Sequence, residues 1–151
     1  MTEVERIVDQ MNRAYEGEAW HGSSVRETLA GVSAQQAIAR PIPDAHSIWE
    51  LVLHIAAWKA AVRRRLQGDR AALSDEEDWP PVIETSAAAW SAATNALDQA
   101  HRNLIVAVGR LDESALHQPI LSGMSSVYVT LHGVIQHDLY HTGQIGILKK
   151  A

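Results

Sequence analysis

The sequence predicts an all-α fold, a four-helix bundle with a long connection between its first and second helices. Three observations lead there. Four long stretches carry apolar residues at helical spacing. No pair of alternating segments is joined by a hairpin turn, and no internal repeat or low-complexity tail interrupts the chain. The length of 151 residues, 46% of them apolar, suits one domain, residues 1–151, built around one core.

The first helix is expected over about residues 2–16. Thr2 and Glu5 form a capping-box pattern, and Val4, Ile7, Val8, Met11 and Tyr15 then mark one face until Gly17. The connection 17–44 holds two short helical pieces. Ser24 and Glu27 open one that Gly31 closes, and Ser33 with Gln36 opens the next. Pro41 and Pro43 forbid a continuous helix there.

The second long helix spans about 45–67, capped by Asp44 or Ser47. Its stripe is Ile48, Leu51, Val52, Ile55, Val62 and Leu66. Residues 69–82 read as a polar loop closed by Trp79-Pro80-Pro81. The third helix, about 84–111, shows Trp90, Ala93, Leu97, Ala100, Leu104, Val108 and Leu111 on one face. A second loop follows at 112–124. The fourth helix starts at Ser125 or Ser126 and keeps Val127, Leu131, Val134, Ile145 and Leu148 inside.

Composition excludes several function classes. The chain has no cysteine, which removes disulfides, zinc–thiolate sites and a cysteine nucleophile together. Any metal must use His, Asp, Glu or water. A net charge of −5 argues against a nucleic-acid partner, which needs a clustered cationic face, and Arg63-Arg64-Arg65 reads as a solvated helix end. No apolar run approaches the roughly 18 residues of a membrane span. The opening MTEVERIVDQ has neither the basic start nor the apolar centre of a secretory signal, so a cytoplasmic location is expected.

The chemistry concentrates in the histidines. In HDLYHTGQ (137–144), His137 and His141 stand four apart. At about 100° per residue, His141 lies about 20° from Val134 and His137 about 40° further round. Such a pair stacks on one helix face with Cβ atoms about 5–6 Å apart, close enough to share an ion. His54 falls at the edge of the second helix's stripe, where a third ligand would meet them. Two readings stay open on spacing alone: a shared site of His54, His137 and His141, or an exposed pair with His54 in ordinary hydrogen bonds. Asp138 phases onto the inner face, about 20° from Val127. A carboxylate there needs a partner, either an imidazole N–H that it orients or a group on another helix. Glu50, one turn before His54, either approaches the ion or is a solvated helix acid. Of the remaining histidines, His101 alone faces the bundle; His21, His46 and His117 fall in loops or at a helix start, and His132 points outward.

The segments HSIWELVLHIAAW (46–58) and HGVIQHDLYHTGQIGILKK (132–150) resemble the two signature stretches of the DinB-like superfamily, of which YfiT-like proteins are a branch. The resemblance covers nearly the whole chain. It implies a four-helix bundle and a metal held by three histidines, at the positions of His54, His137 and His141. Gln144 matches a further motif position. A three-histidine site without a fourth protein ligand leaves positions for water or substrate, and imidazole suits Zn²⁺ and Ni²⁺ alike. The resemblance therefore implies a metal-dependent enzyme acting on a small-molecule substrate. Some relatives transfer groups to a low-molecular-weight thiol, while metal-activated water would make the same site a hydrolase. A third reading is a bundle that binds metal or ligand without turnover, as a site sealed by Trp20, Trp49 or Trp58 would favour. Asp138, Gln144 and Glu50 are the candidates for catalytic roles. Bundles of this type often pair, so a homodimer is expected, with Val129 and Ile147 as outward apolar residues.

Overall fold

The computed structural model describes residues 1–151. It is helical, with one isolated antiparallel bridge, Pro119 to Ser126, that narrows the turn before the last helix. The four long helices are α1 (Glu3–Tyr15), α4 (Ile48–Leu66), α6 (Ala87–Val108) and α7 (Val127–Leu148). Two short helices, α2 (Val25–Leu29) and α3 (Ala34–Ile38), occupy the long first connection.

Each long helix begins on a hydroxyl cap. Thr2, Ser47, Ser86 and Ser126 each accept from a backbone N–H three residues on. Thr2 and Ser47 complete reciprocal capping boxes with Glu5 and Glu50, and Ser24 does so with Glu27. Ser47, rather than Asp44, caps α4, so the helix starts at Ile48 and not near 45. Gly31 ends the α2 region with φ +77°, a conformation that favours glycine.

Both expected loops contain structure. Residues 69–82 include a one-turn helix, α5 (Asp75–Asp78), opened by a Ser74–Glu77 capping box. Residues 112–124 include a 3-10 turn, Glu113–His117, capped by Asp112. Four acids in a row hid the first: it buries no side chain, and it is held by its cap and by the bonds of Asp78 to His54 and Trp58 on α4.

The core has two halves. One gathers Tyr15, Trp49, Val52, Ile55, Leu97 and Ile145 around the tilted pair Trp49 and Trp90. The other gathers Ile7, Met11, Val62, Leu104, Leu131 and Val134. A polar layer lies between them. It takes one residue from each long helix: Asn12, Lys59, His101 and Asp138. Lys59, His101 and Asp138 are each about 1% exposed. The expected inner face of α7 is buried at every position, Asp138 included, while Val129 and Ile147 point outward. No helix is long and apolar enough to cross a membrane.

Candidate metal centre

Three histidines meet between α4 and α7 on the flank of the polar layer. Each of His54, His137 and His141 offers a ring nitrogen, and these atoms all lie within 4.8 Å of one another. The Nε2 atoms of His137 and His54 are 3.0 Å apart, and those of His141 and His137 are 3.1 Å apart. An ion with Zn–N bonds of about 2.0–2.1 Å in tetrahedral array spaces its ligands about 3.3–3.4 Å apart. The two separations that involve His137 are within a few tenths of an ångström of that spacing. His54 and His141 are buried, and His137 is half-buried on the shoulder that helix phasing gives it.

The outward sides of the rings fix their protons. Nδ1 of His54 donates to the carbonyl of Asp78 at 2.7 Å, with Asp78 Oδ1 at 3.1 Å. Nδ1 of His141 donates to Gln144 Oε1 at 2.6 Å. A neutral imidazole has one N–H, so both rings present an Nε2 lone pair inward. Both lone pairs face Nε2 of His137, which carries at most one proton. Without a cation, one short N···N contact opposes two lone pairs. With a cation, all three lone pairs are satisfied at once. Protons are a poor substitute: burial and the neighbouring His141 and His54 hold His137 down at about 3, and burial lowers His141 as well. The donor set therefore fits a divalent ion, and no acid or fourth histidine completes the cluster.

Aromatic rings enclose one side. Trp79 lies flat on His54, with ring centres 3.8 Å apart and planes 5° apart; it also stacks on His46 at 3.6 Å and meets His141 edge-on at 6.2 Å. Trp58 Nε1–H donates to Asp78 Oδ1 at 2.6 Å, which ties α5 to α4. Of the three tryptophans whose closure over the site would favour binding without turnover, only Trp58 approaches it. Trp49 is in the core and Trp20 is exposed.

The other candidates take different places. Gln144 orients His141. Glu50 does not join the cluster: one carboxylate oxygen accepts the Ser47 N–H and the other pairs with Arg40; burial pushes its carboxyl up, but the Ser47 cap and then Arg40 outweigh it and hold the group below the ordinary range. Asp138 orients no imidazole of the triad. Its Oδ2 accepts from Lys59 Nζ at 2.6 Å, and its Oδ1 has no partner. Burial pushes the Asp138 carboxyl up while the Lys59 ammonium pulls it back. His101 belongs to that second network: Lys59 donates to its Nδ1 at 3.3 Å, and its Nε2–H donates to Asn12 Oδ1 at 3.1 Å. Tyr15 stacks on the ring at 4.0 Å and donates to Asp98.

Two residues escaped the sequence reading. Lys59 stands on the stripe of α4, four residues after Ile55 and three before Val62, where the pattern asks for an apolar residue. That mismatch was the available signal, and its match is Asp138 on α7. Asp78 had no signal, because its role rests on a backbone carbonyl and on the unforeseen turn of α5.

Comparison with curated proteins and with solved structures gives no match. The family model described as the DinB superfamily matches residues 19–145, a span that runs from the first connection through all three histidines. The three-histidine cluster, the helical bundle and this match agree, and the chain belongs to the DinB superfamily.

Proposed function

We propose that this protein is a metal-dependent enzyme that transfers a group to a low-molecular-weight thiol, with Zn²⁺ or Ni²⁺ held by His54, His137 and His141. One observation carries the reading. Three imidazole lone pairs converge, and no carboxylate joins them. A bound divalent cation supplies Lewis acidity that keeps a thiol ionised near neutral pH.

The residues of the chain do the rest. Asp78 and Gln144 hold two rings in the tautomer and orientation that direct Nε2 inward. Trp79 excludes water from the His54 face. The thiol would need no base from the protein, because with a cation held by the three histidines its proton could go to solvent. In the transfer the new sulfur–carbon bond would form as the leaving group departed with the electron pair of the bond that breaks. Hydrolysis is the second reading, because the same open ion would acidify a bound water as it would a thiol. Glu50 and Asp78 are hydrogen-bonded to Ser47 and Arg40 and to Trp58, and neither joins the cluster as a further base.

The test uses Ni²⁺- or Co²⁺-loaded protein titrated with small thiols, followed by electrophile turnover. A sulfur-to-metal charge-transfer band and thiol-dependent turnover are expected. Turnover of esters or amides without any thiol would favour the hydrolase. No thiol band and no turnover of either kind would leave a binding protein.

A further inference from the structure

We propose that the groove between α4 and α7 binds a small carboxylate-bearing molecule with an apolar body, its carboxylate on Arg65 and its other end toward His137. The His137 end rests on the functional reading above, whereas the Arg65 end does not.

The groove encloses about 270 Å³. Trp58, Val62 and Arg65 line it from α4, and Gly133, Val134 and His137 from α7. No acidic residue lines it. Its walls are mainly apolar, so an occupant gains most by burying hydrocarbon.

Arg65 gives the groove its polarity. Its guanidinium lies over the Trp58 ring at 5.4 Å. Its Nε donates to the Arg70 carbonyl at 3.3 Å and its Nη2 to the Ala71 carbonyl at 3.2 Å. Those bonds fix the group without neutralising it. Arg64, beside it in sequence, takes Asp69 as its counter-ion, while Arg65 makes no ion pair. An arginine held in place by carbonyls and an indole, with one edge uncommitted, is prepared for a carboxylate at small entropic cost.

Gly133 supports the same assignment. A glycine in a helix interior is unfavourable relative to alanine. Here a Cβ would meet nothing within 4 Å, so packing gives no reason for the residue. What the glycine does is keep the middle of the groove open. Trp58 and Arg65 are seven residues apart, about 10 Å along the helix. A molecule anchored on Arg65 thus runs past Val62 and Val134 and ends near the metal centre.

The test is calorimetric titration with 3-phenylpropanoate and with its neutral amide. It is run on metal-loaded and metal-free protein, on Arg65→Gln and on Gly133→Leu, with metal content measured in each sample. The acid is expected to bind about tenfold more tightly than the amide in both metal states, as a charge-assisted hydrogen bond predicts. Arg65→Gln should remove the preference. Gly133→Leu should bind neither probe while keeping its helicity and metal content. Equal binding of acid and amide to the wild type would overturn the proposal, as would a preference that survives Arg65→Gln. A preference seen only with metal present would place the carboxylate on the ion and also overturn it. So would a Gly133→Leu variant that binds like the wild type. A protein that takes up no metal yet binds the acid through Arg65 would refute the metalloenzyme reading and leave this one standing.

Discussion

Two buried histidine clusters lie side by side in this bundle, and they solve the same electrostatic problem in opposite ways. Around His101, the charges balance within the cluster, with Asp138 Oδ1 the one side-chain atom left unpaired. Lys59 brings a positive charge, Asp138 balances it, and Asn12 takes the remaining ring N–H. Around His137, the protons are spent outward, on Asp78 and Gln144, and lone pairs are left facing one another. The first cluster contains its own cation. The second calls for one from outside. A count of protons thus distinguishes a structural polar layer from a metal centre where burial alone would not, since His54, His101 and His141 are all buried.

The largest effect should come from splitting the internal pair. Lys59→Met leaves the Asp138 carboxylate buried without its counter-ion and should cost about 3–5 kcal/mol in chemical denaturation. The double variant Lys59→Met/Asp138→Leu should recover most of that loss. If single and double variants are equally unstable, the pair is not what the single change breaks. The metal centre should show the reverse pattern. His137→Ala should abolish metal uptake in protein purified without a histidine tag, and with it the thermal stabilisation by added metal, while the metal-free fold is little changed. Metal content equal to wild type would remove His137 from the centre.

Gln144→Leu tests the outer side of the centre. It removes the acceptor that fixes His141 and should weaken metal binding about 10–100-fold without touching a ligand. Acidity provides a gentler comparison. Burial, with Lys59 beside it, lowers His101 to about 3, well below its ordinary 6.5. The unfolded chain therefore takes up a proton below about 6.5 that the folded chain refuses until about 3. Stability should be unaffected by this group above 6.5 and fall progressively as pH drops through that window. His101→Gln in metal-free protein should reduce the slope, leaving the share that His137 and His141 contribute in the same acid range. An unchanged slope would show that His101 is not its source.

Much of the fold was legible because amphipathic periodicity and hydroxyl caps are local signals. Thr2, Ser24, Ser33 and Ser126 cap as their sequence contexts indicate. The inner face of α7 could be phased from Val127 to Leu148, and that phasing put Asp138 inside. The partners of Asp138 and of His54 were not legible, because one lies on another helix and the other is a backbone atom. Lys59 is 79 residues from Asp138, and the acceptor for His54 is a carbonyl on a turn that periodicity does not reveal. Glu50 stood one turn from His54 yet faces the cap. Sequence distance along a helix gave its neighbourhood but not its direction.

Trp79 lies face to face with His54, one of three residues positioned to hold the ion. An indole in that position lies close enough to an ion at the centre to be quenched by a paramagnetic one. Uptake of Ni²⁺ or Co²⁺, but not of Zn²⁺, would then register as a partial loss of the emission of the chain's five tryptophans.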